Sequence, residues 1–261
     1  MIEELPAGWA ATRATLQACA LVLTAFPRAA SDPDPRWSNV AMEPTERGFA
    51  TRSVTLADGS ALRSWLDLVG HRVVIEVDGD QRTFDLGMAP SPAELGRVME
   101  QLATDHGTQV AIDSEYLVES EAQVYDPAHA EAFLESARFV VAAMRTANTG
   151  LTGEIEGPHL WPHGFDIATE RYSNATVRHD GGEANSQIAV GWYPSEGSYL
   201  YVNPWPFRSE WVDEALPHGA TWHTEGWQGA ELRVPPSGLK ESVLTELALA
   251  IHQIASGPLG F

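Results

Sequence analysis

The chain has 261 residues and a formal charge of −20. A chain of that length buries roughly three quarters of its unfolded surface, so it needs no metal or disulfide to form a core, and either one globular unit or two halves, 1–125 and 126–261, fits. The sign of the charge is wrong for gathering phosphates by counterion release, so neither nucleic acid nor an anionic membrane is an expected partner.

The acids are spread along the chain and read as a solvated surface. Lys240 is the lone lysine and Cys19 the lone cysteine, so no internal disulfide forms, which points to a reducing cytoplasmic setting. Glu3 and Glu4 occupy the place of a positive n-region ahead of the apolar run Ala18–Phe26, which argues against a signal peptide. No run reaches the roughly 18 apolar residues of a membrane span.

In chain order, Trp9, Thr12, Leu16, Cys19, Leu23 and Phe26 share one face of a predicted helix that ends before Pro27. Cys19 on that face is read as a small core residue. From Trp37 to Leu86 short alternating segments are broken by Asp58-Gly59 and Asp78-Gly79, which predicts an antiparallel meander of four or five strands. Ser91-Pro92-Ala93-Glu94 reads as the cap of a second helix with inner residues Leu95, Val98, Met99 and Leu102, closed by Gly107.

One more strand is expected at 108–112, then an acidic connection over 113–125. A third helix follows from Asp126-Pro127 to about Asn148, with Phe133, Ala137, Val140, Val141 and Met144 inward. Strands are expected near 164–173, 186–193, 198–203, 220–225 and 229–234, with turns at Asp180-Gly181-Gly182 and Glu196-Gly197. Ser237 is expected to cap a last helix that turns Leu239, Val243, Leu244, Leu247, Ile251 and Ile254 inward. Clustered strands flanked by helices predict an α+β fold of antiparallel sheets covered by about four helices, not a parallel sheet.

The 69 residues from His159 to Trp227 hold six of the nine tryptophans and five of the nine histidines. Two readings fit this density: an aromatic core whose N–H and O–H groups find partners, or a concave apolar pocket with a few polar groups. His159 and His163 are four apart, but Pro162 and Gly164 break a helix there, and in an extended chain the two rings stand about 13 Å apart. With Asp166 they form a three-ligand set only if the turn folds them together. In a strand from 164 to 173, Asp166, Ala168, Glu170 and Tyr172 face one way and Phe165, Ile167, Thr169 and Arg171 the other. Asp166 and Glu170 are then also about 13 Å apart, which does not suit a paired-carboxylate mechanism. No phosphate loop, dinucleotide fingerprint, nucleophile elbow or His-Glu-x-x-His is present, so no cofactor is expected from a motif.

His159, Phe165, Asp166, Ile167, Ala168, Arg171, Tyr172 and Ser173 resemble the hallmark of a bacterial domain-of-unknown-function family, His-x(5)-Phe-Asp-Leu-Ala-x-x-Arg-Phe-Ser. Gly191-Trp192-Tyr193-Pro194, then Tyr199, Tyr201 and Pro204, are similar to two later elements. Trp9, Thr12, Thr15, Leu16, Trp37 and Arg47-Gly48 fit nearer the N-terminus. Leu21, Thr24, Ala25, Arg36 and Asn185-Ser186 stand where the family pattern carries other, mostly polar residues, which marks a diverged member. The resemblance implies a family, not an activity.

The favoured expectation is a small-molecule-binding protein, with catalysis left open, whose pocket draws on His159, Trp161, Asp166, Arg171, Trp192, Tyr199, Tyr201 and Trp205. Nine acids against three arginines between His159 and Trp227 predict a neutral or cationic ligand. The alternatives are a metal-dependent hydrolase using His159, His163 and Asp166, and a structural or protein-interaction module with no small-molecule site.

Overall fold

The computed structural model describes residues 1–117, 124–179 and 182–261. The Asp180-Gly181 part of one expected turn and the middle of the acidic connection lie outside the described residues. Four helices and two antiparallel sheets of six strands give the α+β fold. Contacts divide the chain into two compact units: Pro6–Leu134 with Leu160–Phe165, and Met1–Leu5 with Glu135–His159 and Asp166–Phe261.

In the first unit, helix α1 (Trp9–Ala30) buries Trp9, Leu16, Cys19, Leu23 and Phe26 as its periodicity requires. It does not stop before Pro27. The proline lies inside the last turn, where its missing N–H removes only one intrahelical bond, and its ring is buried. The sheet runs β1 (Glu43–Thr45), β2 (Gly48–Ala50), β4 (Ala61–Asp67), β5 (Arg72–Val77), β6 (Asp80–Asp85), with β3 (Val54–Thr55) also on β4.

The sheet thus has six strands, one more than the longest meander expected; β1, β2 and β3 are only two or three residues long and leave little sequence pattern. Asp78 and Gly79 both take positive φ, 46° and 92°, and make the two-residue turn between β5 and β6, as an Asp-Gly pair favours. Helix α2 (Pro92–Asp105) starts where Ser91 Oγ accepts the Glu94 N–H, 3.1 Å away. The strand expected at 108–112 does not form. Its backbone is engaged by a side chain instead, with Ile112 N donating to Glu100 Oε1 at 2.8 Å.

Helix α3 (Pro127–Asn148) begins and ends as expected. Its Phe133 joins Trp9, Phe49 and Phe165 in an aromatic cluster, with Trp9 stacked on Phe133 at 4.9 Å and Phe165 tilted against it at 5.4 Å. Leu160–Phe165 is pinned to α1: Arg13 Nη2 donates to Gly164 O at 2.5 Å, and Gln17 Nε2 to His163 O at 2.7 Å.

The second sheet runs β11 (Thr221–His223), β12 (Gly229–Arg233), β10 (Tyr199–Trp205), β9 (Gly182–Tyr193), β8 (Asp166–His179), β7 (Glu154–Trp161). Strand β7 was not expected, because Gly157 and Pro158 interrupt any alternation there. Helix α4 (Glu241–Leu259) packs on β9 and β10 and buries Leu244, Leu247, Ile251, Ala255 and Leu259. Each large apolar side chain sealed this way contributes about 1.5–3 kcal/mol. Ser237 does not cap it. The backbone of Leu239 instead exchanges hydrogen bonds with Ile2, which delays the helix to Glu241, with Lys240 at the cap position.

Candidate functional site

The site is built on strands β8, β9 and β10 of the second sheet. Their register aligns Ala168 with Gly191 and Gly191 with Tyr201, while Ile167, Trp192 and Leu200 line up in the adjacent row. Side chains alternate across a sheet, so these rows occupy opposite faces. Ile167, Trp192 and Leu200 are fully buried on the helix-covered side. Asp166, Glu170, Tyr199 and Tyr201 stand on the more open side.

Arg171 goes with the covered face. It is 2% exposed, and its guanidinium donates to Thr152 O at 3.0 Å and Asn148 Oδ1 at 2.9 Å. Burial lowers its pKa to about 10, so it stays charged at neutral pH. Of the eight residues expected in a pocket, the sheet therefore groups Asp166, Tyr199, Tyr201 and Trp205 on one face and sends Arg171 and Trp192 to the other. Trp205 lies at the far end of that face, edge-on to His179 at 5.1 Å. His159 is half-buried in β7, at the margin of this sheet. Trp161 groups with the first unit, as does His163, which is exposed with its ring edge-on to Tyr116 at 6.5 Å. Among the described residues no group of three or more His, Cys, Asp or Glu side chains is placed to hold a metal ion.

Tyr201 lies across Gly191. A Cβ added at 191 would come within 2.0 Å of the Tyr201 Cζ, so only glycine leaves room for the ring. In that position the Tyr201 hydroxyl donates to Asp166 Oδ2. Burial first, then the charge on Asp166, pushes the phenol well above its usual pKa of 10, and it remains a proton donor at any physiological pH.

Glu170 stands two residues beyond Ala168 on the same face. Its Oε2 is shielded from solvent and has no hydrogen-bond partner among the described residues, although other parts of the residue are accessible. Burial, with the nearby charges of Asp166 and Glu156, raises its pKa from 4.5 to about 8. It is therefore predominantly a neutral acid at pH 7. The rule that spaced Asp166 and Glu170 too far apart for a close pair does not prevent this coupling, because burial lengthens the reach of charge.

An aromatic wall adjoins these acids. Trp227 lies parallel to Tyr199 at 6.2 Å, meets Tyr201 edge-on at 6.0 Å, and stacks on His223 at 4.4 Å. The Arg233 guanidinium sits 5.0 Å from the Tyr199 ring centre, but its Nε is 2.6 Å from Glu231, which offsets its charge. Chemically the face offers a carboxylate, two groups that hold protons at neutral pH, and flat apolar surfaces. Such a set suits hydrogen bonding and attraction of cations. Sequence reasoning did not single out Glu170, Gly191 or Trp227 as site residues; the available signal was the alternation that puts Glu170 beside Asp166 and the glycine opposite a tyrosine.

Fold and site together describe an α+β protein of two six-stranded antiparallel sheets with an acidic, aromatic face on the second. The chain belongs to a family of unknown function, DUF5996, whose model matches residues 4–230. Comparison with curated proteins and with solved structures gives no match. Among the described residues no helix is long and apolar enough to cross a membrane.

Proposed function

We propose that the protein binds a small cationic or neutral molecule on the open face of its second sheet. Asp166, Tyr201 and Glu170 supply the polar contacts, Tyr199 and Trp227 the apolar ones, and His159 lies at the margin. The observation that carries this reading is Glu170: a carboxyl oxygen, Oε2, shielded from water and near other acids, with no hydrogen-bond partner among the described residues. A buried polar atom left unpaired costs about 1–3 kcal/mol. A ligand ammonium, hydroxyl or amide N–H placed against Oε2 removes that cost, and an ammonium also takes the place of the proton that Glu170 otherwise holds.

The test is a titration of primary amines, quaternary ammonium salts and polyols, followed through tryptophan fluorescence and calorimetry. At least one class is expected to saturate, and Asp166→Asn and Glu170→Gln are each expected to weaken it about tenfold, the worth of one charged hydrogen bond. Unchanged affinity in both variants, with the fold intact by circular dichroism, refutes the reading.

A further inference from the structure

The open face of the first sheet carries a cleft of about 460 Å³, lined by Thr45, Glu46, Arg47, Trp65, Leu66, Asp67, Arg72, Val74 and Gln81. Its size lies within the range of small-molecule sites. Gly48 makes it possible: a Cβ there would lie 2.0 Å from Leu66 O, so glycine lets β2 press onto β4 and sets Arg47 over Asp67.

Asp67 is 5% exposed, and its carboxylate is fully engaged within the protein. Oδ2 accepts from Arg47 Nη2 at 2.9 Å and from Arg72 Nε at 3.0 Å, and Oδ1 accepts from Gly70 N at 2.9 Å. Two guanidiniums thus share one buried acid. Each guanidinium has five N–H donors, and among the described residues no acceptor other than Asp67 takes any from Arg47 or Arg72. Both side chains are about half exposed, at 55% and 44%, so the remaining donors are open to a ligand. Glu46 is the other acid of the lining, on the exposed turn between β1 and β2.

Beside this donor pair lies apolar surface: the half-buried Trp65 indole, with Val74 directly opposite it on β5 and on the same face. The other ring neighbour, Arg63 at 5.6 Å, is tied to Glu43 at 2.9 Å. Planar forks of N–H groups match a carboxylate bidentately, and an indole favours a flat ring beside it.

We propose that this cleft binds a small aromatic carboxylate, its carboxylate on Arg47 and Arg72 and its ring against Trp65. The site is separate from the acidic face of the second sheet and opposite to it in the charge it selects.

The test uses benzoate and indole-3-carboxylate as probes, with benzamide and inorganic phosphate as controls, on the full chain. Binding is read from the Trp65 indole N–H and the Arg47 and Arg72 Nε–H resonances. Benzoate is expected to shift all three saturably, benzamide none, and phosphate only the arginines and at least tenfold more weakly. Arg72→Gln is expected to weaken benzoate tenfold or more. Because Arg72 also holds Asp67, Gln81→Glu on the exposed rim is the second variant; it leaves the anchoring intact, adds a repelling charge, and is expected to weaken benzoate several-fold. Absence of saturable shifts at millimolar benzoate, equal binding of benzamide, equal binding of phosphate, or unchanged affinity in a folded Gln81→Glu protein overturns the proposal.

Discussion

The two sheets handle a buried acid in opposite ways. Asp67 on the first sheet has two guanidiniums and a backbone N–H around it; burial alone would raise its pKa, but Arg47, the Gly70 amide and Arg72 outweigh that and hold it below the ordinary value. Glu170 on the second sheet has acids for neighbours and, among the described residues, no hydrogen-bond partner for Oε2, and burial, then those acids, raises its pKa to about 8. The same residue chemistry is thus a structural clamp where cations are supplied and a carboxyl that holds its proton at neutral pH where they are not. What differs is the charge of the groups around each carboxyl, not its degree of enclosure alone.

The strongest way to break this contrast is to remove the clamp. The double variant Arg47→Ala with Arg72→Ala leaves Asp67 enclosed without a counter-charge and is expected to cost about 3 kcal/mol in urea unfolding, at the low end for a broken buried pair because both arginines are half exposed. A loss no larger than that of a surface substitution would place Asp67 in a wetter setting than its 5% exposure implies.

Next in size is Gly191→Ala. The added methyl meets the Tyr201 ring and is expected to cost about 1–3 kcal/mol, with loss of the amine binding proposed for this face, since Tyr201 no longer reaches Asp166. Chemical denaturation and a fluorescence titration read the two effects separately.

Glu170 and Asp67 also predict opposite pH slopes. The folded value of Glu170 lies above its ordinary 4.5, so the native state holds the extra proton across pH 4.5 to about 8, and stability from this group falls as pH rises through that window. Glu170→Gln is expected to flatten the decline and to raise stability at pH 8 by about 1–2 kcal/mol, the cost of an unpaired buried carboxyl. Asp67 is lowered, so its contribution is present at neutral pH and lost as pH falls below the carboxylate range. Thermal unfolding between pH 3 and pH 9 checks both slopes.

The smallest expected effect is that of Asp166→Asn, about 1 kcal/mol from one altered hydrogen bond to Tyr201. It is also expected to bring the Tyr201 pKa down toward 10 by removing a negative neighbour, which an ultraviolet titration of the phenol detects.

Much of the fold was legible in the sequence because local chemistry encodes it. The Asp78-Gly79 turn, the Ser91 cap and the inner faces of α1 and α3 depend on residues a few positions apart, whose backbone and packing demands are independent of distant partners. Where local signals misled, a distant contact had overruled them: the Leu239 bridge to Ile2 displaced the cap expected at Ser237, and a Glu100 side chain took a backbone group of the strand expected at 108–112. The candidate site was legible in part. Alternation already set Asp166 with Glu170 and apart from Arg171, but assigning Trp192 to the covered face needed the register of β9 against β8, which no single strand specifies.

The sequence by itself determined an acidic α+β protein, the presence and inner faces of its helices, and an aromatic, histidine-rich second half, because composition and periodicity are properties of the chain alone. Only the tertiary structure decided which face each aromatic occupies, that Tyr201 lies over Gly191 to meet Asp166, and that Asp67 is matched by cations while Glu170 Oε2 has no partner among the described residues. Those outcomes depend on cross-strand neighbours and on exclusion of water, and both are set by strands that meet only after the chain has folded.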